Sequence, residues 1–89
     1  MKLVVTVVGK DRVGIIAMVS RILSENNVNI LSINQNIMDG FFNMVLIAEI
    51  SESKIKLADL QKKLKEKGQE IHVDIKAQHE DIFNVMHNI

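Results

Sequence analysis

The chain has 89 residues, which is enough for one domain and too few for two. Apolar residues make up 47% and charged residues 25%, a composition typical of a globular fold. Eleven basic residues balance eleven acidic ones, which argues against a nucleic-acid-binding module, because such modules need an excess of lysine and arginine. The absence of cysteine excludes disulfides and thiolate metal sites, and no apolar run approaches the ~18 residues of a membrane span, so we expect a cytoplasmic protein that contacts no membrane.

The first predicted elements are a strand and an amphipathic helix. Residues 2–8 are rich in β-branched side chains and end at Gly9, and both faces are apolar, which predicts a central strand covered on both sides. A polar loop then leads to a helix from Ile15 to about Asn26, whose apolar residues recur at i, i+4, i+7 and i+8. Asn26 and Asn27 end it, because asparagine tolerates the left-handed conformation found after helix C-termini.

A hairpin follows, in which Asn29–Met38 and residues 41–50 flank Asp39-Gly40. Asp-Gly between alternating apolar runs favours a type I′ turn, since both positions need positive φ. The first strand of the hairpin carries a polar stripe of Ser32, Asn34 and Asn36. Such a stripe is typical of the solvent side of an antiparallel sheet, although it could also line a pocket.

The second half of the chain repeats the pattern of helix and strand. Ser51 and Ser53 are predicted to cap a helix over residues 54–67, and Gly68 is predicted to end it. Residues 70–77 alternate cleanly between apolar and polar, with Ile71 among those facing inward, and predict a fourth strand. A short final helix is predicted over residues 80–87.

The element order is therefore β-α-β-β-α-β plus a terminal helix. With right-handed crossovers, this order predicts an α+β, ferredoxin-like sandwich: a four-stranded antiparallel sheet with two helices on one face and a short C-terminal helix. We predict that residues 1–89 form a single domain.

The segment VVGKDRVGIIAMVSRILSENNVNILSINQNI resembles the start of an ACT domain, where a strand leads into a D-R-x-G-[ILV] loop, a helix and a G/N-[VI]-N-I strand entrance. The C-terminal HEDIFNVMHNI is similar to the tail of short single-ACT-domain proteins of bacteria and archaea. The resemblance implies a regulatory module that binds a small ligand, often an amino acid, at a dimer interface. One departure is Val13, where many ACT loops carry proline. The candidate ligand-binding residues are Asp11, Arg12, Val13, Gly14, Ile15 and Asn29.

The chemistry of these residues supports the same hypothesis. Gly14 lies beside the predicted start of the first helix, where backbone N–H groups lack acceptors within the helix. Those groups and the helix dipole favour a carboxylate, and glycine lets a ligand approach the backbone closely. The Asp11 carboxylate could accept hydrogen bonds from an α-ammonium group, and Asn29 offers a donor and an acceptor if a second subunit brings it close.

Each candidate also has a purely structural interpretation. Asp11 is a favoured N-cap residue, Gly14 could serve only close helix–strand packing, and Asn29 could shape the turn into its strand. Arg12 is expected to be a solvated loop charge. These alternatives stay open from the sequence.

Metal-binding and catalytic motifs find no support. His79 and His87 fall on one face of the last helix but about 12 Å apart along its axis, too far for one ion, and His72 would have to reach in from a strand. The sequence has no phosphate loop, no nucleophile elbow and no paired carboxylates at catalytic spacing. We therefore predict no catalytic residue, no metal, no cofactor and no enzyme activity.

We predict a stand-alone regulatory binding module that passes a signal to an unidentified protein effector. The alternative is a structural or protein-interaction module with the same fold and no ligand. RNA binding is suggested only by Gly40-Phe41-Phe42 on the third strand, against a neutral chain and a first strand without aromatics. An acylphosphatase-like enzyme would need an arginine and an asparagine aimed at phosphate, and Arg12 and Asn43 fit no such motif.

Self-association is predicted from the sheet. Val4, Val8, Val45 and Ile47 fall on the face opposite the two helices, so either the C-terminal helix or a second subunit must cover them. Burying about 300 Å² of such surface is worth at most roughly 7 kcal/mol, comparable with the whole stability of a small domain. We therefore expect a homodimer.

Overall fold

The computed structural model describes residues 1–51 and 54–87. Its elements are strands and helices in the predicted order: β1 (Lys2–Lys10), α1 (Ile15–Glu25), β2 (Asn29–Met38), β3 (Phe41–Glu49), α2 (Leu57–Glu70), β4 (Val73–His79) and α3 (Glu80–His87). The strands form one sheet in the order β2-β3-β1-β4, and every neighbouring pair is antiparallel. The predicted ferredoxin-like architecture is confirmed.

The core lies between the sheet and helices α1 and α2. Directly paired residues of β1 and β3 share a face, and Leu3–Ala48, Val5–Leu46 and Val7–Met44 all point toward the helices. The helices complete the core with fully buried side chains of Ile15, Val19, Leu23, Leu60 and Leu64. Each such side chain contributes on the order of 1.5–3 kcal/mol by leaving water.

The hairpin between β2 and β3 has the predicted turn. Asp39 and Gly40 have φ of 52° and 80°, as a type I′ turn requires. The bounds of β2 and α3 also agree with the prediction. No helix of the described residues is long and apolar enough to cross a membrane.

The predicted start of α2 was wrong. The N-cap residue is Lys56, in an extended conformation and without a side-chain capping hydrogen bond. The backbone carbonyl of Ser51 instead accepts hydrogen bonds from the N–H groups of Lys54 (2.9 Å) and Ile55 (3.3 Å). This local turn delays the helix by three residues, and Ser53 lies outside the described residues.

The predicted end of α2 at Gly68 was also wrong, because the helix runs on to Glu70 and Gly68 is buried within it. A Cβ added at Gly68 would lie 2.6 Å from the Val73 carbonyl oxygen. The glycine therefore permits close approach of α2 and β4 and does not stop the helix. As a result β4 starts at Val73 and not at residue 70, and Ile71 packs against the core from the turn before the strand.

Helix α3 covers one end of the sheet face opposite α1 and α2, which we call the open face. Within the described residues it contacts β1 and β4 but neither α1 nor α2. Val4, on the open face, is only 2% exposed, whereas Val8 and Val45 on the same face are 46% and 42% exposed. The C-terminal helix thus covers part of the predicted apolar surface and leaves the rest in water.

Candidate functional site

The candidate site is the loop between β1 and α1, whose shape depends on Gly14. Gly14 is the N-cap residue of α1 and has φ of 94°, in the left-handed region that favours glycine. Its carbonyl oxygen accepts the first helical hydrogen bond from the Met18 N–H, at 2.9 Å. No atom lies within 4 Å of where a Cβ would stand, so the surface in front of Gly14 is open. The interpretation of Gly14 as a close-packing glycine is therefore wrong.

No group among the described residues of the chain compensates the start of α1. Within the described residues, the N–H groups of Ile15, Ile16 and Ala17 donate to no protein acceptor. The first turn of α1 contains no acidic residue, and no side chain caps it. The interpretation of Asp11 as the N-cap is therefore wrong. These N–H groups and the positive end of the helix dipole are available to an anionic group.

A backbone hydrogen bond ties the loop to the hairpin. The Asp11 N–H donates to the Gly40 carbonyl oxygen at 2.8 Å, which fixes the loop beside the β2–β3 turn. The Asp11 and Arg12 side chains are exposed, and neither belongs to an ion pair among the described residues. Asp11 is thus held by its backbone while its carboxylate stays free to bind.

The other two loop candidates differ sharply in exposure. Val13 is 99% exposed, so its side chain makes almost no contact within the protein. Ile15 is 1% exposed and its side chain belongs to the core, so only its backbone N–H can reach a ligand. Ile15 anchors the start of α1 under the loop, which positions Gly14.

Gly14 also lies at the end of a groove along α1 that the sequence interpretation missed. The groove holds about 520 Å³, and besides Gly14 its lining includes Ala17, Met18, Arg21 and Lys67. Ala17 is small, which leaves room in the groove beside Gly14, and Arg21 brings a guanidinium seven residues further along the same helix face. The spacing i, i+3, i+7 from Gly14 was the available signal for these residues.

Asn29 does not join the loop within one subunit. It starts β2, at the opposite end of α1 from Gly14, and the eleven residues of α1 span about 16 Å. Asn29 borders a separate hollow with Ser24, Asn27, Val28 and Ile30. The structure therefore brings together Asp11, Arg12, Val13, Gly14 and the Ile15 N–H, and leaves Asn29 apart.

Two other places on the molecule hold groups that could bind a ligand or a metal. A wider hollow of about 640 Å³ lies between the end of α1 and the start of α2, but its cationic lining consists of exposed lysines, one of which, Lys63, already donates to the Asn26 side-chain oxygen at 2.9 Å. The histidines form no metal cluster with acidic residues in the described part of the chain. His79 Nδ1 instead accepts the Asp81 N–H at 3.1 Å, within the first turn of α3. Neither place has the directed polar groups of the loop.

Comparison with known proteins agrees with this fold. A family model for the ACT domain matches residues 1–78. UPF0237 proteins of Clostridium perfringens and Methanocaldococcus jannaschii are 55% and 49% identical, over 100% and 99% of this chain and 100% and 98% of theirs. An ACT domain protein from Streptococcus pneumoniae superposes with a TM-score of 0.81 at 37% identity, covering 93% of each chain.

A more distant structure shares the fold alone. A formyltetrahydrofolate deformylase from Pseudomonas putida superposes with a TM-score of 0.80 at 14% identity, over 89% of this chain but only 29% of the deformylase. The family model and the full-length relatives, by contrast, match the sequence as well as the fold. The chain belongs to the ACT domain family, alongside small UPF0237 proteins of bacteria and archaea.

Proposed function

We propose that this chain is a cytoplasmic regulatory module, a single domain over residues 1–89, that binds a small zwitterion at the β1–α1 loop. An amino acid is the ligand class that fits best. The module acts as a homodimer, passes its signal to a protein effector and catalyses no reaction. The observation that carries the proposal is the open, uncapped start of α1 at Gly14.

The carboxylate of the ligand would bind at the start of α1. There the free N–H groups of Ile15 and Ile16 converge, and the left-handed Gly14 leaves the approach open. Hydrogen bonds to a charged acceptor are worth about 1.5–3 kcal/mol each, roughly twice those between neutral groups. Since no acidic side chain lies in the first turn, nothing in α1 competes for this position.

The ammonium group would bind the Asp11 carboxylate. The backbone of Asp11 is fixed to Gly40, so binding has to immobilise only its short side chain and not the loop backbone. Anion and cation sites lie on the same short loop, three residues apart, which suits the small separation of charges in an amino acid. The ligand side chain would then extend along the groove past Ala17 and Met18.

Asn29 would reach the ligand from the second subunit. Strand β2 is an edge of the sheet, so its outer backbone groups can pair with another strand. Antiparallel pairing of two β2 strands about a two-fold axis near Gln35 aligns Ile33 with Ile37 of the partner subunit and carries Asn29 of the partner subunit to the Asp39-Gly40 turn. Because Gly40 is bonded to Asp11, that turn lies beside the ligand loop.

Exposed apolar side chains support this edge pairing. On the helix side of β2, Ile33 and Ile37 are 43% and 57% exposed, and Ile16 on the neighbouring helix α1 is 36% exposed. In a β2–β2 dimer these side chains would meet their symmetry copies and leave water. Formation of the dimer would thus bury an apolar edge and complete the binding site at the same time.

Thermal-shift and calorimetric screening against the twenty amino acids tests the proposal. We expect one or a few to raise the melting temperature, and Asp11→Asn to abolish the shift because it removes the anionic partner of the ammonium group. Asp59→Asn, an exposed carboxylate in the first turn of α2 at the other end of the fold, is the charge-matched control and should keep the response. If no amino acid changes the stability of the wild type, the ligand-free interaction module becomes the better interpretation.

A further inference from the structure

Three adjoining hollows between helices α1 and α2 form one continuous groove, which we call the seam. The hollow beside Gly14 shares Ile22 and Lys67 with the next hollow, of about 500 Å³. That hollow in turn shares Asn26 and Lys63 with the widest one, of about 640 Å³, at the start of α2. The seam therefore runs from the proposed ligand loop to the start of α2.

Positive charge is concentrated at the end of the seam away from Gly14. Four exposed lysines line the widest hollow, and we call them the lysine cluster: Lys54, Lys56, Lys62 and Lys63. Two carboxylates share this lining, and one of them, Glu66, lies 4.0 Å from the ammonium group of Lys62. Lys54 and Lys56 belong to no ion pair within the described residues. A chain without net charge thus carries a local excess of positive charge here.

The open shape of this end of the seam suits a chain segment better than a small molecule. Ligand pockets enclose about 70–90% of a small molecule, whereas the lysine cluster consists of exposed side chains around a wide hollow. The eleven residues of α1 span about 16 Å, a distance that an extended segment of about five residues covers. Such a segment can contact the whole cluster and continue along the seam.

The remaining lining of the seam favours a polypeptide over a nucleic acid. The chain has no tryptophan or tyrosine, and its three phenylalanines lie on β3 and α3, so the seam offers no aromatic side chain on which a base could stack. Glu25 and Glu70 line the middle of the seam and would repel a continuous phosphate backbone. A polypeptide can instead place acidic residues at the lysine cluster and uncharged ones beside the glutamates. The half-buried Ile22 and Ile55 also offer it apolar contacts.

We propose that the seam is the docking surface for an acidic segment of the protein effector, whose aspartate or glutamate side chains pair with the lysine cluster. This inference rests on the proposed function for the effector itself, although docking does not require that an amino acid be bound. Complementary charge steers the two proteins together, and it fixes the direction of the segment because only one end of the seam carries the excess charge. The segment would then pass the groove that holds the ligand side chain, which puts ligand and effector side by side.

Fluorescence anisotropy of a labelled ten-residue peptide of alternating glutamate and alanine tests the docking, at about 0.1 M salt, where charges more than ~10 Å apart are screened. The wild type should bind this peptide saturably and should not bind the same peptide with glutamine for glutamate. Lys54→Gln combined with Lys56→Gln should weaken binding by about two- to fivefold for each lysine, as the loss of an exposed ion pair does. Lys65→Gln combined with Lys76→Gln is the matched control: both lysines line a hollow on the other side of α2, so binding should stay within about twofold.

The two double variants carry the same net charge, so a difference between them reports the position of the lysines and not the total charge. Lys62→Gln, inside α2, should weaken binding by a similar factor per lysine, which guards against an altered helix start in the first variant. Equal weakening by the two double variants, or no binding of the glutamate peptide at millimolar protein, overturns the docking surface. Equal competition by a ten-nucleotide single strand of DNA overturns it too, because the seam would then bind any polyanion.

The amino-acid screen separates this inference from the proposed binding site. If the peptide binds with the expected dependence on the lysine cluster while no amino acid changes the stability of the protein, the docking surface stands and the sensor is lost. If an amino acid binds and the peptide does not, the sensor stands and the docking surface is lost. Asp11→Asn should abolish the amino-acid response and leave peptide binding unchanged, because Asp11 does not line the seam.

Discussion

Gly68→Ala should destabilise the protein, although helix propensity alone says the opposite. Gly68 lies inside α2 with ordinary helical geometry, and replacing an interior helical glycine by alanine usually stabilises by about 1 kcal/mol. In this fold, however, the new methyl group would stand 2.6 Å from the Val73 carbonyl oxygen and 3.1 Å from the Ile75 side chain. We therefore expect the packing of α2 against β4, and not helix propensity, to decide the sign of the stability change.

The size of this destabilisation depends on which of the atoms in contact with the new methyl group can move. The Ile75 side chain can adjust, but the Val73 backbone is held in β4, where it pairs with Gly9 of β1. A Cβ on Gly9 would itself lie 2.6 Å from a Val73 side-chain carbon, so the strand cannot retreat in that direction. Overpacking of this kind costs about 1–3 kcal/mol and more where backbone must shift, so we expect a net loss of about 1–2 kcal/mol.

Urea unfolding followed by circular dichroism, at one fixed protein concentration, measures this loss. For a domain of this size the melting temperature should fall by roughly 5–15 °C. Gln69→Ala, at an exposed position in the same turn, is the control and should change stability by less than about 0.5 kcal/mol. A Gly68→Ala protein as stable as the wild type would refute the packing argument.

Three further predictions address the core, the binding loop and the terminal helix. Leu64→Ala removes a fully buried side chain of α2 and should lower the free energy of unfolding by about 2–5 kcal/mol, measured by urea titration. Gly14→Asn should keep the fold at a cost of about 1–3 kcal/mol, because asparagine tolerates positive φ better than most residues and space is open there, yet its side chain should abolish the amino-acid response in calorimetry. Deleting residues 80–89 should uncover Val4 and lower stability by about 1.5–3 kcal/mol without loss of the sheet, as judged by far-ultraviolet circular dichroism.

Local sequence rules were enough to predict the elements whose ends are set by neighbouring residues in the chain. The β2–β3 turn follows from two residues that accept positive φ, and the order of the elements then leaves few topologies. The core residues of β3 follow from its alternation, since a shift of one residue would turn Phe42, Met44 and Leu46 outward.

The errors arose where residues distant in sequence decide the outcome. Gly68 looks like a helix stop until β4 is seen passing within contact distance, and Lys56 caps α2 although lysine is not a favoured N-cap residue. The same distinction between local and distant residues applies to the candidate site. The residue types in the loop predicted an open anion-binding helix start, but only the fold shows that Ile15 belongs to the core and that Asn29 lies a helix length away.

Because Asn29 lies far from the loop of its own subunit, ligand binding in the proposed site would depend on dimerisation. If a ligand contacts Asp11 and Gly14 of one subunit and Asn29 of the other, it binds the dimer more tightly than the monomer. Linkage then requires that the ligand strengthen dimerisation by the same factor by which dimerisation strengthens ligand binding. Ligand affinity should therefore rise with protein concentration, and Ile37→Lys should lower that affinity without touching the loop. The proposed dimer would in this way convert a metabolite concentration into a change of assembly, which the proposed effector would recognise.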